Sequence, residues 1–251
     1  MSDLFNNENS LDDLEAPLAD RLRPQSLDEV IGQNHLLGDK GPLQNMLTSG
    51  IFSSIIFWGP PGVGKTTIAR LLADHSNSHF EQISAIFTGI GDLKKVFEAA
   101  KFRRANGNKT VIFVDEIHRF NKSQQDSFLP FLEDGTIILI GATTENPSFE
   151  LNPAILSRVQ VLVLERLNNT DLKKLLERAE GILGSKINLD LDAKIELLKV
   201  ADGDGRALLN LIENIISWEI SNPINVKDLS VRLSKRLKKY DKKGEEHYNL
   251  I

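Results

Sequence analysis

Short apolar runs, separated by stretches of helical period, set the frame of this chain. Ile55-Ile56-Phe57-Trp58, Thr110-Val111-Ile112-Phe113-Val114 and Thr136-Ile137-Ile138-Leu139-Ile140-Gly141 show no apolar–polar alternation, and Val159 to Leu164 forms the last such run. Runs of that kind suit strands covered on both faces, as in a parallel sheet. Phe80 to Ile86 alternates weakly and reads as one more strand. Ile68 to Ala73 and Asp92 to Arg104 read as helices between them. In the second, Leu93, Val96, Phe97 and Ala100 share one face, and Lys94, Lys95, Lys101, Arg103 and Arg104 take the other. Strands alternating with helices predict an α/β domain with a parallel sheet and helices on both faces. Ahead of the first strand, Ser26 and Glu29 have the spacing of a capping box, and Pro42 to Leu47 reads as a helix ended by Gly50.

The pattern changes at Asn168. Leu172, Leu175, Leu176, Ala179, Ile182 and Leu183 form one helical face, with Thr170 as its expected cap. Ala193 to Ala201, Arg206 to Ile220 and Val226 to Leu237 continue in helical period with no strand-like run. The expected organisation is a disordered acidic arm at 1–17, an α/β domain at 18–167, a small all-helical lid at 168–239, and a linker segment at 240–251. Leu167-Asn168-Asn169 is the natural hinge.

Composition narrows the chemistry. With 251 residues there is room for one large or two modest domains. The formal net charge of -5 excludes a polycation, so any contact with nucleic acid needs a local basic surface. The absence of cysteine excludes disulfides, thiolate nucleophiles and Cys-ligated zinc. The five histidines, His35, His75, His79, His118 and His247, have no metal-ligand spacing and read as scattered surface or core residues. No apolar run approaches the ~20 residues of a membrane span. The acidic N-terminus does not read as a secretory signal, and the cytoplasm is the expected compartment.

One loop carries the sharpest signal. Gly59-Pro60-Pro61-Gly62-Val63-Gly64-Lys65-Thr66-Thr67 matches G-x-x-x-x-G-K-[ST] between a strand and a helix, the setting the pattern requires. Glycines let successive amides point inward, and the helix N-terminus adds partial positive charge, so the turn makes a phosphate cradle. Lys65 can reach the terminal phosphates of a nucleotide, and the Thr66 hydroxyl can ligate Mg²⁺. Asp115 and Glu116 follow the buried run 110–114, at the sheet edge where ligands bind in open α/β sheets. Asp115 suits Mg²⁺, and Glu116 suits the polarisation of an attacking water.

Other residues carry weaker signals. Thr143, Thr144, Glu145 and Asn146 follow the run 137–140, where a neutral side chain can orient water or a hydrogen-bonded turn can precede Pro147. Arg158 on its own reads as a helix-end charge, unless a second subunit's nucleotide lies against it. Arg206, in Gly203-Asp204-Gly205-Arg206, opens a helix of the lid and reaches the γ-phosphate if the lid folds over it. Lys235, Arg236, Lys238, Lys239, Lys242 and Lys243 form a basic run, either a phosphate-binding surface or a solvated face.

Together these features resemble the AAA+ ATPases, from about residue 18 to the end. Phe120 to Asp126, Gly141 to Glu150 and Tyr240 to Glu245 narrow the resemblance to the replication-associated recombination protein A family, with the Werner-helicase-interacting proteins of eukaryotes. The resemblance implies a P-loop ATPase fold, with ATP and Mg²⁺ as its ligands. Arg21, Pro24, Ile31, Gly32 and Gln33 then fall in the stretch lining the adenine pocket, and 59–67 in the phosphate loop. Asp115-Glu116 match the acid pair, Thr144 or Asn146 the sensor 1 position, Arg158 a trans-acting arginine finger and Arg206 sensor 2. Phe87 to Gly91 resembles the stretch facing the central channel of AAA+ rings. The implied partners are DNA at stalled forks, ends, gaps and single-strand/double-strand junctions, and single-stranded-DNA-binding protein. The implied setting is the nucleoid. Members of that family continue past Ile251 into a helical region that drives tetramerisation, so a homo-oligomer is expected where that region is present. A clamp-loader subunit or branch-migration motor of the same superfamily is the alternative. An ATP-gated binding module with incidental hydrolysis is the alternative of another class.

Overall fold

A computed structural model describes residues 16–218 and 222–233. Most of the expected N-terminal arm, the end of the last expected helix, and the basic run from Lys235 lie outside the described residues.

Five strands form one parallel sheet: β1 (Ile55–Trp58), β2 (His79–Ser84), β3 (Thr110–Asp115), β4 (Ile138–Thr143) and β5 (Gln160–Val163), in the order β2-β3-β4-β1-β5. Alternate residues of each central strand enter opposite cores. Ile55, Phe57, Val111, Phe113, Ile140 and Ala142 pack with Ile68, Ala69 and Leu72 of helix α4 (Lys65–His75). Ile56, Ile112, Val114 and Leu139 pack with Leu93, Phe97 and Ala100 of helix α5 (Ile90–Ala105). Burial of this kind contributes about 1.5–3 kcal/mol for each large side chain. Helices on both faces explain why the central strands show no polar alternation. The edge strand β5 is different: three of its four residues are exposed.

Among the described residues, three short helices precede the sheet: α1 (Leu18–Arg21), α2 (Asn34–Leu37) and α3 (Pro42–Ser49), which ends on left-handed Gly50. The expected capping box at Ser26 takes another form. Ser26 makes no side-chain cap to the 3₁₀ turn Leu27–Glu29, and Glu29 instead accepts from the Gln25 amide at 3.0 Å. The polar stretch Asn121 to Asp126 contains helix α6 (Lys122–Asp126), closed by reciprocal Asn121 and Gln124 bonds. Helix α7 (Leu129–Glu133) follows. Helices α8 (Pro147–Glu150) and α9 (Pro153–Leu156) lie between β4 and β5.

The helical unit comprises α10 (Asn169–Leu183), α11 (Leu191–Ala201), α12 (Gly205–Ile216) and helical residues 226–233. Asn168, not Thr170, caps α10, because its side-chain oxygen accepts from the Asp171 amide while the Asp171 carboxylate accepts from the Asn168 amide. Leu18 and Leu22 from the start of the chain belong to this helical core, and the Leu18 amide donates to Glu213 at 3.0 Å. The first described helix therefore lies among the helices of this unit before the chain crosses to the sheet. That crossing places residues 22–31 beside the junction of the two units.

Candidate active site

The loop after β1 is shaped by contacts only glycine tolerates. A Cβ on Gly59 would lie 2.4 Å from the Leu164 carbonyl oxygen. Gly62 and Gly64 have φ of +68° and +98°, in the left-handed region. Helix α4 then starts at Lys65, so its N-terminal amides and dipole face the turn. The Lys65 ammonium donates to the carbonyls of Gly59 and Pro60 at 2.8 and 2.7 Å, and the residue is 9% exposed. Burial is the largest influence on it and lowers its pKa. The Glu116 and Asp115 carboxylates oppose that shift, Arg206 adds to it, and Asp204 opposes it.

β3 delivers the acid pair to the same sheet edge. Glu116 sits at φ +52°, a backbone state that costs a side-chain-bearing residue about 1–3 kcal/mol. Its Oε2 is buried without a hydrogen bond, 3.2 Å from His118 Nδ1.

Between the two units lies a cleft of about 480 Å³. The loop 61–67 forms its floor, Asp115 and Glu116 one end, and Pro24, Val30 and Ile31 an apolar side. Leu175, Leu209 and Arg206 enter from the helical unit. That unit touches the loop directly: the Gly205 amide donates to the Gly62 carbonyl at 3.1 Å, and a Cβ on Gly62 would lie 1.6 Å from Asp204 Oδ1. Asp204 is held there because the same oxygen caps α12 through the Ala207 amide at 2.8 Å.

The expected site residues do not all converge. Pro24 and Ile31 line the cleft; Arg21, Gly32 and Gln33 are not among its lining residues. Gln33 spends its amide on the Glu165 backbone, donating at 2.7 Å and accepting at 3.0 Å. Gly32, at φ +78°, packs on Leu167 and Asp171 beside the hinge. Gly59 and Pro60, the first residues of the loop, are not among the lining residues; their carbonyls accept from Lys65. Thr144 and Asn146 lie beyond the end of β4, and Asn146 caps α8 through the Ser148 amide at 3.0 Å. Arg158 lies outside the cleft, with its guanidinium on the Ala154 carbonyl, Ser157 and Glu133.

Several residues of the site had no strong sequence signal. Arg178 donates to the Glu29 carbonyl and carboxylate at 3.0 and 2.7 Å at the cleft wall. The Gln25 amide, the Arg178 guanidinium and its charge hold the Glu29 carboxyl below its ordinary range, against a smaller effect of burial. Asp204 was visible only as the Asp in Gly-Asp-Gly. His118 was visible as the second residue after Glu116, and its ring reaches the fully buried Thr143 at 2.9 Å. For a magnesium ion, the hydroxyl of Thr66 and the carboxylate of Asp115 are hard oxygen donors on one cleft, so the residues present fit it.

Residues 55–167 match the family model of the ATPase family associated with various cellular activities (AAA), and residues 183–251 match that of the AAA C-terminal domain. Replication-associated recombination protein A of Haemophilus influenzae is 43% identical over 244 residues, covering 94% of this chain and 55% of that protein. ATPase WRNIP1 of Dictyostelium discoideum is 40% identical over 238 residues, covering 93% of this chain and 26% of that one. Among solved structures, the Thermotoga maritima RuvB Holliday junction branch migration motor superposes with a TM-score of 0.68 at 25% identity, covering 85% of this chain and 72% of the other. The chain spans about half the length of the bacterial relatives it matches. No helix among the described residues is long and apolar enough to cross a membrane. By the two domains it carries and the relatives it shares them with, the chain belongs to the AAA ATPases, in the replication-associated recombination protein A family.

Proposed function

We propose that the protein is a Mg²⁺-dependent ATPase that converts ATP to ADP and phosphate, coupled to remodelling or sensing of DNA at stalled replication forks. The observation that carries this reading is the convergence of the glycine loop, the acid pair and the helical unit on one cleft. The triphosphate lies along the amides of 61–67. Lys65 exchanges its two carbonyl partners for phosphate oxygens, a modest rearrangement for a flexible ammonium. The base takes the apolar side formed by Pro24, Val30, Ile31, Leu175 and Leu209. Thr66 and Asp115 would hold magnesium, which when bound offsets charge on the β- and γ-phosphates. Glu116 polarises the attacking water. Arg206 contacts the γ-phosphate from the helical side, so the two units close on the nucleotide they share. Because Asn146 is engaged as a cap, Thr144 is the better candidate to sense the γ-phosphate.

Arg158, remote from its own cleft, acts on the nucleotide of a second subunit, which requires a homo-oligomer. The relatives' names support a place in replication-associated recombination, with DNA and single-stranded-DNA-binding protein as partners. The likeness to the RuvB motor favours branch migration as the second reading. The test is ATP turnover against protein concentration, with and without forked DNA, beside an assay of four-way-junction movement. Turnover that rises with concentration and with forks supports the first reading. Junction movement driven by ATP supports the second. DNA binding without measurable turnover would leave only a nucleotide-gated binding module.

A further inference from the structure

The 3₁₀ turn Ile117–Arg119 brings His118 back over the end of β4. Its Nδ1 lies 2.9 Å from Thr143 Oγ1 and 3.2 Å from Glu116 Oε2, and the side chain is 12% exposed. The Thr143 hydroxyl also accepts from the Glu145 amide at 3.0 Å and lies 3.3 Å from the Glu145 carbonyl. These contacts specify one arrangement of protons. A hydroxyl has one hydrogen and two lone pairs. The hydrogen goes to the Glu145 carbonyl, one lone pair takes the Glu145 amide, and the other takes an Nδ1–H. The opposite tautomer would turn a bare nitrogen lone pair toward the Glu116 carboxylate and leave Oε2, already without a hydrogen bond, beside a second acceptor.

We propose that His118, protonated at Nδ1 and anchored on Thr143, is a positioning residue that fixes the direction of the Glu116 carboxylate. His118 does not line the cleft, whereas Glu116 does, so it acts through Glu116 and not on the nucleotide. Thr143 pairs with Trp58 at the end of β1, one residue before the phosphate loop. The chain Trp58–Thr143–His118–Glu116 thus ties the water-polarising group to the strand that carries the cradle. The inference rests on the reading of Glu116 given above.

Two amide substitutions separate the ring nitrogens. Asparagine places an N–H close to the position of Nδ1; glutamine places one close to Nε2. Steady-state turnover and ATP affinity are measured for His118→Asn, His118→Gln, Thr143→Val and Glu116→Gln. The expected result is a kcat about 10- to 100-fold lower in His118→Gln and Thr143→Val, with ATP affinity within about twofold of the parent. His118→Asn recovers most of the loss. In the double variant His118→Gln/Thr143→Val the losses do not add, because both remove one chain. Equal losses in His118→Asn and His118→Gln, or losses confined to affinity, overturn the proposal. An inactive Glu116→Gln beside a fully active His118→Gln overturns it while leaving the reading of Glu116 intact. A fully active Glu116→Gln removes that reading and this inference together.

Discussion

Gly62 is the residue on which loop and lid meet. Its φ of +68° costs an alanine about 1–2 kcal/mol, and the added Cβ would strike the Asp204 carboxylate, which cannot move without uncapping α12. Gly62→Ala is expected to weaken ATP binding by about tenfold or more, measured by calorimetry; unchanged affinity would show that the lid contact is dispensable. The loop, Lys65 and the acid pair were legible in the sequence as neighbours, because loops that follow parallel strands gather at one sheet edge. Gln33 and Asn146 were not, because both are amides whose role depends on which backbone group the fold brings within reach. Glu165 is far from Gln33 in the chain, and its carbonyl and amide each make one bond with the Gln33 side-chain amide. Likewise His118 carried no metal-ligand spacing, and its meaning comes from the adjacency of β3 and β4.

At the scale of elements, the helical unit is held by caps and by one well-shielded ion pair. Glu180 of α10 accepts from Lys194 of α11 at 2.7 Å and from the Ile187 amide at 3.1 Å. Burial alone would raise the Glu180 carboxyl. The Lys194 hydrogen bond, the Ile187 amide and the Lys194 and Lys186 charges outweigh it and hold the group below its ordinary value of 4.5. A depressed carboxyl binds fewer protons in the folded state, so its stabilisation is complete above that value and is lost as pH falls through the folded one. Glu180→Gln is expected to melt about 2–4 °C below the parent at neutral pH, with the gap closing under acid conditions. A gap independent of pH would assign the loss to packing instead. The strands and long helices were legible from periodicity. Their ends were less so: β4 spans 138–143 instead of 136–141, because its pairing with β1 and β3 sets where it ends. Helix α6 is too short and polar to show a period, and it is closed by the reciprocal Asn121 and Gln124 bonds.

For the whole molecule, the parallel sheet and the following helical unit were readable from pattern alone, whereas their mutual placement was not. Leu18 and Leu22 join the helical core across most of the chain's length, a contact no local periodicity encodes. Arg158 makes a prediction at this scale, since its guanidinium faces Glu133 and not its own cleft. Arg158→Ala is expected to keep ATP affinity and lose turnover, and mixing it with Glu116→Gln subunits to restore part of the activity; mixtures no better than their components would contradict shared sites. The central claim is simpler than either: the cleft between the units binds a nucleoside triphosphate through the 59–67 loop. Titration calorimetry with a non-hydrolysable ATP analogue and Mg²⁺ tests it most directly, on the parent chain and on Lys65→Ala. Saturable one-to-one binding in the parent, lost in the variant with its melting temperature intact, is the predicted result; no heat from the folded parent, or equal affinity in both, would contradict it.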